Sequence, residues 1–279
     1  MSSSPFLSFS CPLDGLPLVC ATGSWRCESG HCYDIAREGY VNLLPVQNKK
    51  SRDPGDSKAM VAARRRFLQQ GHYRQIAHAS AAAVLAGVPD GSTLALLDAG
   101  CGEGYYLREL AAAAPAVALQ IVGLDISKWA VQAAARQSTD MSWVVGSNAK
   151  LPLPDASLDC ILCMFGFPVH AEFARVLKPG GRLIQVEAGA DHLRELREII
   201  YPTLKPRPSQ RAEAQGFTVR DTASVQASIS LQDQSEIADL LAMTPHLYRA
   251  DADGRARAAA LTALDTTIDA LIISYDRFD

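Results

Sequence analysis

The chain has 279 residues and a mass of 30.0 kDa, with 48% hydrophobic and 20% charged residues, which excludes a largely disordered chain and suits one large domain or a domain with a small appendage. Net charge is −3, which excludes a uniform polycation. The charge is uneven: residues 1–75 sum to +4 and residues 76–279 to −7, the asymmetry of a basic, partner-facing front end on an acidic body.

Residues 1–45 are Cys-, Gly- and Pro-rich with little helical periodicity, so a metal staple would help so short a segment fold. Residues 46–75 are basic and polar. The Asp53-Pro54-Gly55-Asp56 turn stops any helix there, and Ser57 is placed to cap a new one starting near Lys58. From residue 76 the pattern alternates. Helices are expected at 77–85, 105–114, 128–137 and 170–177, with strands at 94–99, 119–124, 142–146, 158–164 and 182–187. That is a series of βαβ units, hence a mostly parallel sheet covered on both faces. The tail reads as a strand or hairpin at 217–231, helices at 234–242 and 256–264, and a closing strand at 268–275. No apolar run is long enough to span a membrane, and MSSSPFLSFSCPLDG has neither the basic start nor the apolar run of a secretory signal. A cytoplasmic protein with reduced thiols is expected.

The sharpest motif is LALLDAGCGEGYY at 94–106. An apolar strand runs into Asp98, Gly100, Gly102, Glu103 and Gly104, and a helix follows. Glycines at alternate positions let a ligand approach the backbone at the carboxyl end of a sheet. Asp125, which ends IVGLDIS, is placed to accept from both hydroxyls of a ribose. The G-x-G-x-G spacing differs from the dinucleotide pattern G-x-G-x-x-G, and acids in the loop repel a pyrophosphate but suit a ligand bearing an amine and a sulfonium. The segment resembles class I S-adenosylmethionine-dependent methyltransferases. In that superfamily a polar residue at the place of Asn148 commonly reaches the adenine. Lys178-Pro179-Gly180-Gly181 supports the fold and carries no chemistry.

Cys11, Cys20, Cys27, His31 and Cys32 lie within 22 residues. Cys27-x₃-His31 is half of a zinc knuckle. The other half is broken, because Cys11 is followed three residues on by Asp14. A Cys11, Asp14, Cys27, His31 site is chemically sound. Cys20 or Cys32 as fourth ligand, or a metal-free vestige, are the alternatives.

FSCPLDG, CESGHCYDIAREGYVNLLPVQNKKSRDPGDSKAMVAARRRFLQQGHY, LLDAGCGEGYY and DHLREL together resemble the bacterial 23S rRNA (guanine-N1)-methyltransferase family, closely over residues 9–200 and more loosely in the tail. The resemblance implies a zinc-ribbon-like module (1–45), a basic linker and helix (46–75) and a Rossmann-like class I methyltransferase domain (76–279) with a mostly parallel seven-stranded sheet. It implies S-adenosylmethionine as methyl donor and a guanine in a 23S rRNA hairpin as substrate. Cofactor contacts fall on Tyr73, Gly102, Glu103 and His192, and zinc ligands on Cys11, Asp14, Cys27 and His31. Asp14 departs from the family's cysteine. Members are often homodimers, and some confer macrolide resistance.

RNA contact is expected on Lys49, Lys50, Arg52, Arg64, Arg65 and Arg66. Phe165 and Phe167 are candidates to stack on an extruded base, with plain core packing as the equal alternative. Tyr73, at the end of a helix, and His192, at the start of one, have only bland readings without the resemblance. No general base is identified, Glu187 at a strand end being a weak candidate. Two rivals stay open: a small-molecule methyltransferase, which needs neither cysteines nor basic segment, and a catalytically inactive RNA- or antibiotic-binding relative.

Overall fold

Very short strands open the chain: β1 (Ser4–Pro5), β2 (Phe9–Ser10), β3 (Pro17–Ala21), β4 (Ser24–Arg26), β5 (Cys32–Asp34) and β6 (Tyr40–Asn42). The computed structural model describes residues 3–48, 51, 53–204 and 213–278. Lys49, Lys50 and Arg52 therefore lie outside the described residues. β2 to β5 form a small antiparallel sheet in that order, while β1 and β6 leave it.

Ser57 does cap α1 (Lys58–Gln69), its side chain accepting from the Met60 N–H at 3.3 Å. Gly71, at φ +85°, then breaks the chain before α2 (Arg74–Leu85). Tyr73 thus heads a helix instead of ending one. The alternation that follows matches the expected units: β7 (Thr93–Ala99), α3 (Tyr105–Ala113), β8 (Ala118–Asp125), α4 (Lys128–Ala135), β9 (Ser142–Val145), β10 (Leu158–Met164), α5 (His170–Val176) and β11 (Leu177–Ala188). β11 starts before the Pro179-Gly180-Gly181 turn, and its register against β10 shifts between Leu158 and Cys160 to absorb that turn.

The tail holds α6 (Arg194–Ile200), β12 (Phe217–Leu231), α7 (Gln234–Met243), α8 (His246–Arg249), α9 (Ala252–Ala259) and β13 (Leu264–Arg277). β12 is one strand, not a hairpin. It pairs along its length with β13, with an irregularity between Val219 and Asp221. The helix expected at 256–264 is displaced. Asp251 caps it early by accepting from the Gly254 N–H at 2.6 Å, and Leu264 already belongs to β13.

The main sheet has nine strands, where seven were expected. Its order is β12-β13-β11-β10-β7-β8-β9-β6, with β1 beside β8. The seven from β12 to β9 are the expected ones. β6 and β1 are added from the N-terminal segment, each parallel to its neighbour. Only β13 runs against the others, antiparallel to both β11 and β12. Alternate side chains of each strand feed two buried layers. Leu94, Leu96, Ile121 and Trp143 face the layer with the helical residues Phe67, Ile76, Leu107 and Val131. Leu97, Val122, Val144 and Ile161 face the other, which holds Phe173 together with Phe6, Phe9, Cys11, Trp25 and Cys27. The N-terminal module therefore covers one face of the sheet.

Candidate active site and metal centre

The parallel strands bring four chain ends to one edge of the sheet: Asp125 closing β8, the glycine turn after β7, Phe165 after β10 and Glu187 near the end of β11. A cavity of about 450 Å³ opens there. Gly100, Gly102, Glu103, Tyr105 and Tyr106 line one side, and Met164, Phe165, Glu187, His192 and Tyr73 line more of it. The tail supplies Met243, Thr244, His246 and Arg249, none of which the sequence singled out. Nothing local in residues 243–249 carries a signal, because their role depends on where the tail folds back.

The glycines divide their work. Gly100, at φ +102°, would point a Cβ into open space, so its backbone is approachable. Gly104, at φ +82°, is crowded instead: a Cβ there would sit 2.6 Å from the Trp143 ring. The acids differ as well. Asp125 is bonded by the Gly102 N–H at 2.9 Å and the Ser127 N–H at 2.8 Å, and so fixes the turn. Burial nevertheless raises its pKa. Glu103 accepts on Oε2 from Arg108 at 2.9 Å and Gln137 at 2.7 Å. Asp98 is fully buried, and neither of its oxygens has a hydrogen-bond partner among the described residues. Burial, aided by Asp125, pushes its pKa up to about 8. A buried carboxylate without donors is costly unless something cationic or hydrogen-bonding arrives. Glu103 Oε1 and the Tyr105 hydroxyl are orphaned likewise. These unsatisfied groups, beside a glycine turn open to a ligand, fit a donor that carries an amine and a sulfonium.

Asn148 lies just past β9, where its amide donates to the Phe167 carbonyl at 3.3 Å and, weakly, to that of Ala99. His192 accepts at Nδ1 from the Asp269 N–H at 3.1 Å, so its proton sits on Nε2, which donates to the Tyr73 hydroxyl at 3.0 Å. His192 precedes α6 behind Leu193, which caps the helix at φ +52°. Phe165 stands 5.6 Å from His192 and 6.2 Å from Tyr73, ring centre to ring centre, with a backbone φ of +51°. It is 36% exposed and Phe167 is 87% exposed, so core packing accounts for neither.

The arginine run does not form one face. Arg64 lines the cavity, pairs with Asp56 at 2.7 Å and donates to the Met243 carbonyl at 2.9 Å. Arg66 grips Asp239 of α7 through two bonds, at 2.8 and 2.5 Å. Arg65 is exposed and has no ion pair among the described residues.

In the N-terminal module the β-turns bring Cys11, Asp14, Cys27 and His31 together, with ligand atoms all within 4.8 Å of one another. His31 Nδ1 is 3.5 Å from Cys11 Sγ, 3.4 Å from Cys27 Sγ and 3.0 Å from Asp14 Oδ2. Cys27 Sγ is 3.5 Å from Asp14 Oδ2. A zinc tetrahedron with usual bond lengths has ligand–ligand edges of roughly 3.3–3.8 Å. The donor set fits zinc, and Asp14 takes the place open for a fourth ligand. Cys20 and Cys32 are exposed and stand outside the cluster. The Tyr33 hydroxyl, on β5, approaches Cys11 Sγ at 3.2 Å.

Sheet order, glycine turn and orphaned acid define a class I methyltransferase with a ribbon-like metal module. Comparison with known proteins agrees. A family described as a methyltransferase domain matches residues 96–181, and a zinc-ribbon family described as "RlmA, N-terminal" matches residues 9–52. The chain is 34% identical over 261 residues to the 23S rRNA (guanine(748)-N(1))-methyltransferase of Streptomyces fradiae, covering 90% of this chain and 89% of that one. It is 32% identical over 277 residues, 96% of each chain, to YxjB of Bacillus subtilis (strain 168), assigned as a 23S rRNA (guanine-N1)-methyltransferase. Demethylmenaquinone methyltransferase of Tropheryma whipplei (strain Twist) is 38% identical, but over 133 residues, 43% of this chain and 50% of that one. The likeness to demethylmenaquinone methyltransferases reaches 52% of this chain in another such relative, against 90% and 96% for the two rRNA enzymes. This chain belongs to the 23S rRNA (guanine-N1)-methyltransferase family.

Proposed function

We propose that the chain transfers a methyl group from S-adenosylmethionine to N1 of a guanine in a 23S rRNA hairpin. The observation that carries the reading is Asp98, an orphaned buried carboxylate beside a glycine-lined cavity, in a chain whose ribbon and catalytic domain share one core. In this reading residues 1–45 recognise RNA, residues 46–75 link, and residues 76–279 hold the chemistry. The absence of any helix long and apolar enough to cross a membrane, among the described residues, is consistent with a cytoplasmic site of action. A homodimer rests on the family likeness alone, and light scattering tests it.

When bound, the donor supplies a methyl carbon on a cationic sulfur. Asp98 faces the positive charge, and Gly100, Gly102 and Gly104 let the backbone come close. Asp125 holds the ribose edge, while its grip on Gly102 keeps the turn in place. Glu103, Asn148, Tyr73 and His192 complete the donor's contacts. Phe165, which lines the cavity, and Phe167, exposed two residues further on, stack on the extruded guanine. Catalysis on this plan is alignment of N1, methyl carbon and sulfur, with water excluded by the tail. Zinc, closed by four protein ligands, serves structure and not chemistry. Arg65 and the basic Lys49, Lys50 and Arg52 meet phosphates.

Primer extension on large-subunit rRNA from cells with and without the protein tests the reading. N1 methylation blocks Watson–Crick pairing, so a reverse-transcription stop should appear at one guanine only when the protein is present. Identical traces would defeat it. Methyl transfer to a quinone without any rRNA stop would favour the small-molecule reading.

A further inference from the structure

Guanine N1 carries a proton at neutral pH, so transfer to it needs a proton acceptor beside the methyl carbon. We infer that Glu187 is that acceptor and also the group that selects guanine; the inference rests on the guanine-N1 reading above.

β10 and β11 run parallel, with Met164 opposite Val186. Phe165, the first residue past β10, and Glu187, next to last in β11, therefore stand level at the same end of the sheet, and the Phe165 N–H bonds the Val186 carbonyl at 2.8 Å. The donor loop belongs to β7, the neighbour of β10 on its other side. Along the sheet edge the sequence is donor loop, then Phe165, then Glu187. A base stacked on Phe165 would lie between donor and carboxylate. Both Phe165 and Glu187 line the cavity.

The other proton-accepting groups of the cavity are engaged otherwise. Burial raises the pKa of Tyr73, Tyr105, Tyr106 and Cys101, which keeps them protonated. Glu103 sits in the donor loop, its charge compensated by Arg108. His192 already accepts at Nδ1 from the Asp269 N–H. His246 Nδ1 is 2.9 Å from the Tyr201 hydroxyl. Glu187 instead has a positioning partner: the buried Gln185 amide donates to Oε1 at 2.5 Å, and His170 Nε2 lies 3.4 Å from the Gln185 amide oxygen. That orients the carboxylate as an acceptor.

The chemistry balances. The N1–H proton passes to the Glu187 carboxylate as the N1 electron pair forms the bond to the methyl carbon. The carbon–sulfur bond breaks with its electron pair left on sulfur, which becomes neutral, and Glu187 later gives its proton to water. A carboxylate also matches the guanine edge, accepting from N1–H and the 2-amino group together. Adenine would present an N1 lone pair to it and be repelled.

The test uses the full-length protein, S-adenosylmethionine and a 23S rRNA hairpin transcript under single-turnover conditions. Glu187→Gln should lower the rate of methyl transfer about a hundred- to ten-thousand-fold. Donor affinity by calorimetry should stay within about twofold, and RNA affinity within about threefold, because phosphate contacts dominate RNA binding. Glu187→Asp should recover part of the rate, and added formate should revive Glu187→Gly. A Glu187→Gln protein with a rate within about threefold of wild type overturns the inference. So does one that loses donor binding along with rate, or a Glu187→Gly protein that formate leaves inert. Wild-type protein that leaves the guanine unmodified removes this inference and the functional reading together; active wild type with equally active Glu187→Gln removes this inference alone.

Discussion

A carboxyl group that lacks exposure and donors, as Asp98 does, keeps its proton far above the ordinary range, here to about pH 8. In the unfolded chain the same group loses its proton near 3.8. Between those values the folded state holds one more proton than the unfolded state, so stability falls as pH rises, by up to about 1.4 kcal/mol per pH unit from this group. Asp98→Asn should flatten that slope in urea melts run from pH 5 to 8 on the ligand-free protein. The cationic donor reverses the preference, because it favours the ionised carboxylate. Its affinity should therefore climb toward pH 8 in wild type, while Asp98→Asn binds at least about tenfold more weakly with little pH dependence. A variant that keeps both the wild-type stability slope and the wild-type affinity would count against Asp98 as the cation's partner. At the metal centre the relevant residue is Asp14. Hydrogen bonding, from the Cys11 thiol first, holds its carboxyl well below the usual range, so it is ionised and ready to ligate. An oxygen is still a harder, weaker partner for zinc than a thiolate. Asp14→Cys, which completes a C-x₂-C knuckle, should raise zinc affinity at least about tenfold in competition with a chromophoric chelator. Asp14→Ala should release the metal at chelator concentrations that wild type withstands.

Helical geometry explains why the three arginines of α1 do different things. Successive residues turn by about 100° around the axis, so three in a row cannot share a face. Arg64 turns to the cavity, Arg65 to solvent and Arg66 to α7. Arg65→Ala should leave thermal stability unchanged and weaken rRNA binding, reducing the slope of log affinity against log salt by about one. Arg66→Ala should do the reverse. Its bond to Asp239 is half open to water, so a double-mutant cycle with Asp239→Ala should give a coupling of about 0.5–1 kcal/mol, with RNA affinity little changed. The same contrast marks what a sequence reveals. The alternation from residue 94 to residue 188 was legible because short runs of about four to six apolar residues, or a 3.6-residue period, decide a strand or helix locally. The metal ligands were legible in part: Cys27 and His31 by their spacing, Cys11 and Asp14 through the family resemblance, while Cys20 and Cys32 stayed open as alternatives because only the fold of the module decides which side chains converge. Arg64 and Arg66 were not, because their partners Met243 and Asp239 lie far along the chain. The start of β13 was missed because an alanine-rich stretch favours helix until pairing with β12 overrides it. The pairing of β1 and β6 was invisible for a simpler reason. Strands of two or three residues carry no period at all.

Those two short strands govern how the whole molecule hangs together. β6 extends the sheet beyond β9, and β1 runs beside β8. Loops reinforce the join: the Ser10 N–H bonds the Pro152 carbonyl at 3.0 Å, and Lys150 Nζ bonds the Pro12 carbonyl at 2.8 Å. Phe6, Phe9, Val41 and Leu43 are buried in the same cluster as Leu97, Val122 and Val144. Each such side chain stabilises by about 1.5–3 kcal/mol when buried, so removing these four forfeits roughly 6–12 kcal/mol. That equals most of the 5–15 kcal/mol by which an ordinary domain is stable. From the sequence alone, removing residues 1–45 looks like a way to separate RNA recognition from methyl transfer. The shared core predicts a different result: a fragment starting at residue 46 should lose cooperative unfolding and donor binding together, read by circular dichroism melts and calorimetry. The informative disruption is therefore a point change at the metal centre. His31→Ala should lower the midpoint of a single transition in the full chain and leave donor affinity intact at temperatures where the protein stays folded. A fragment 46–279 that melts cooperatively and binds the donor as tightly as the full chain would show that the module is an appendage and that the buried layer it shares with the sheet contributes little.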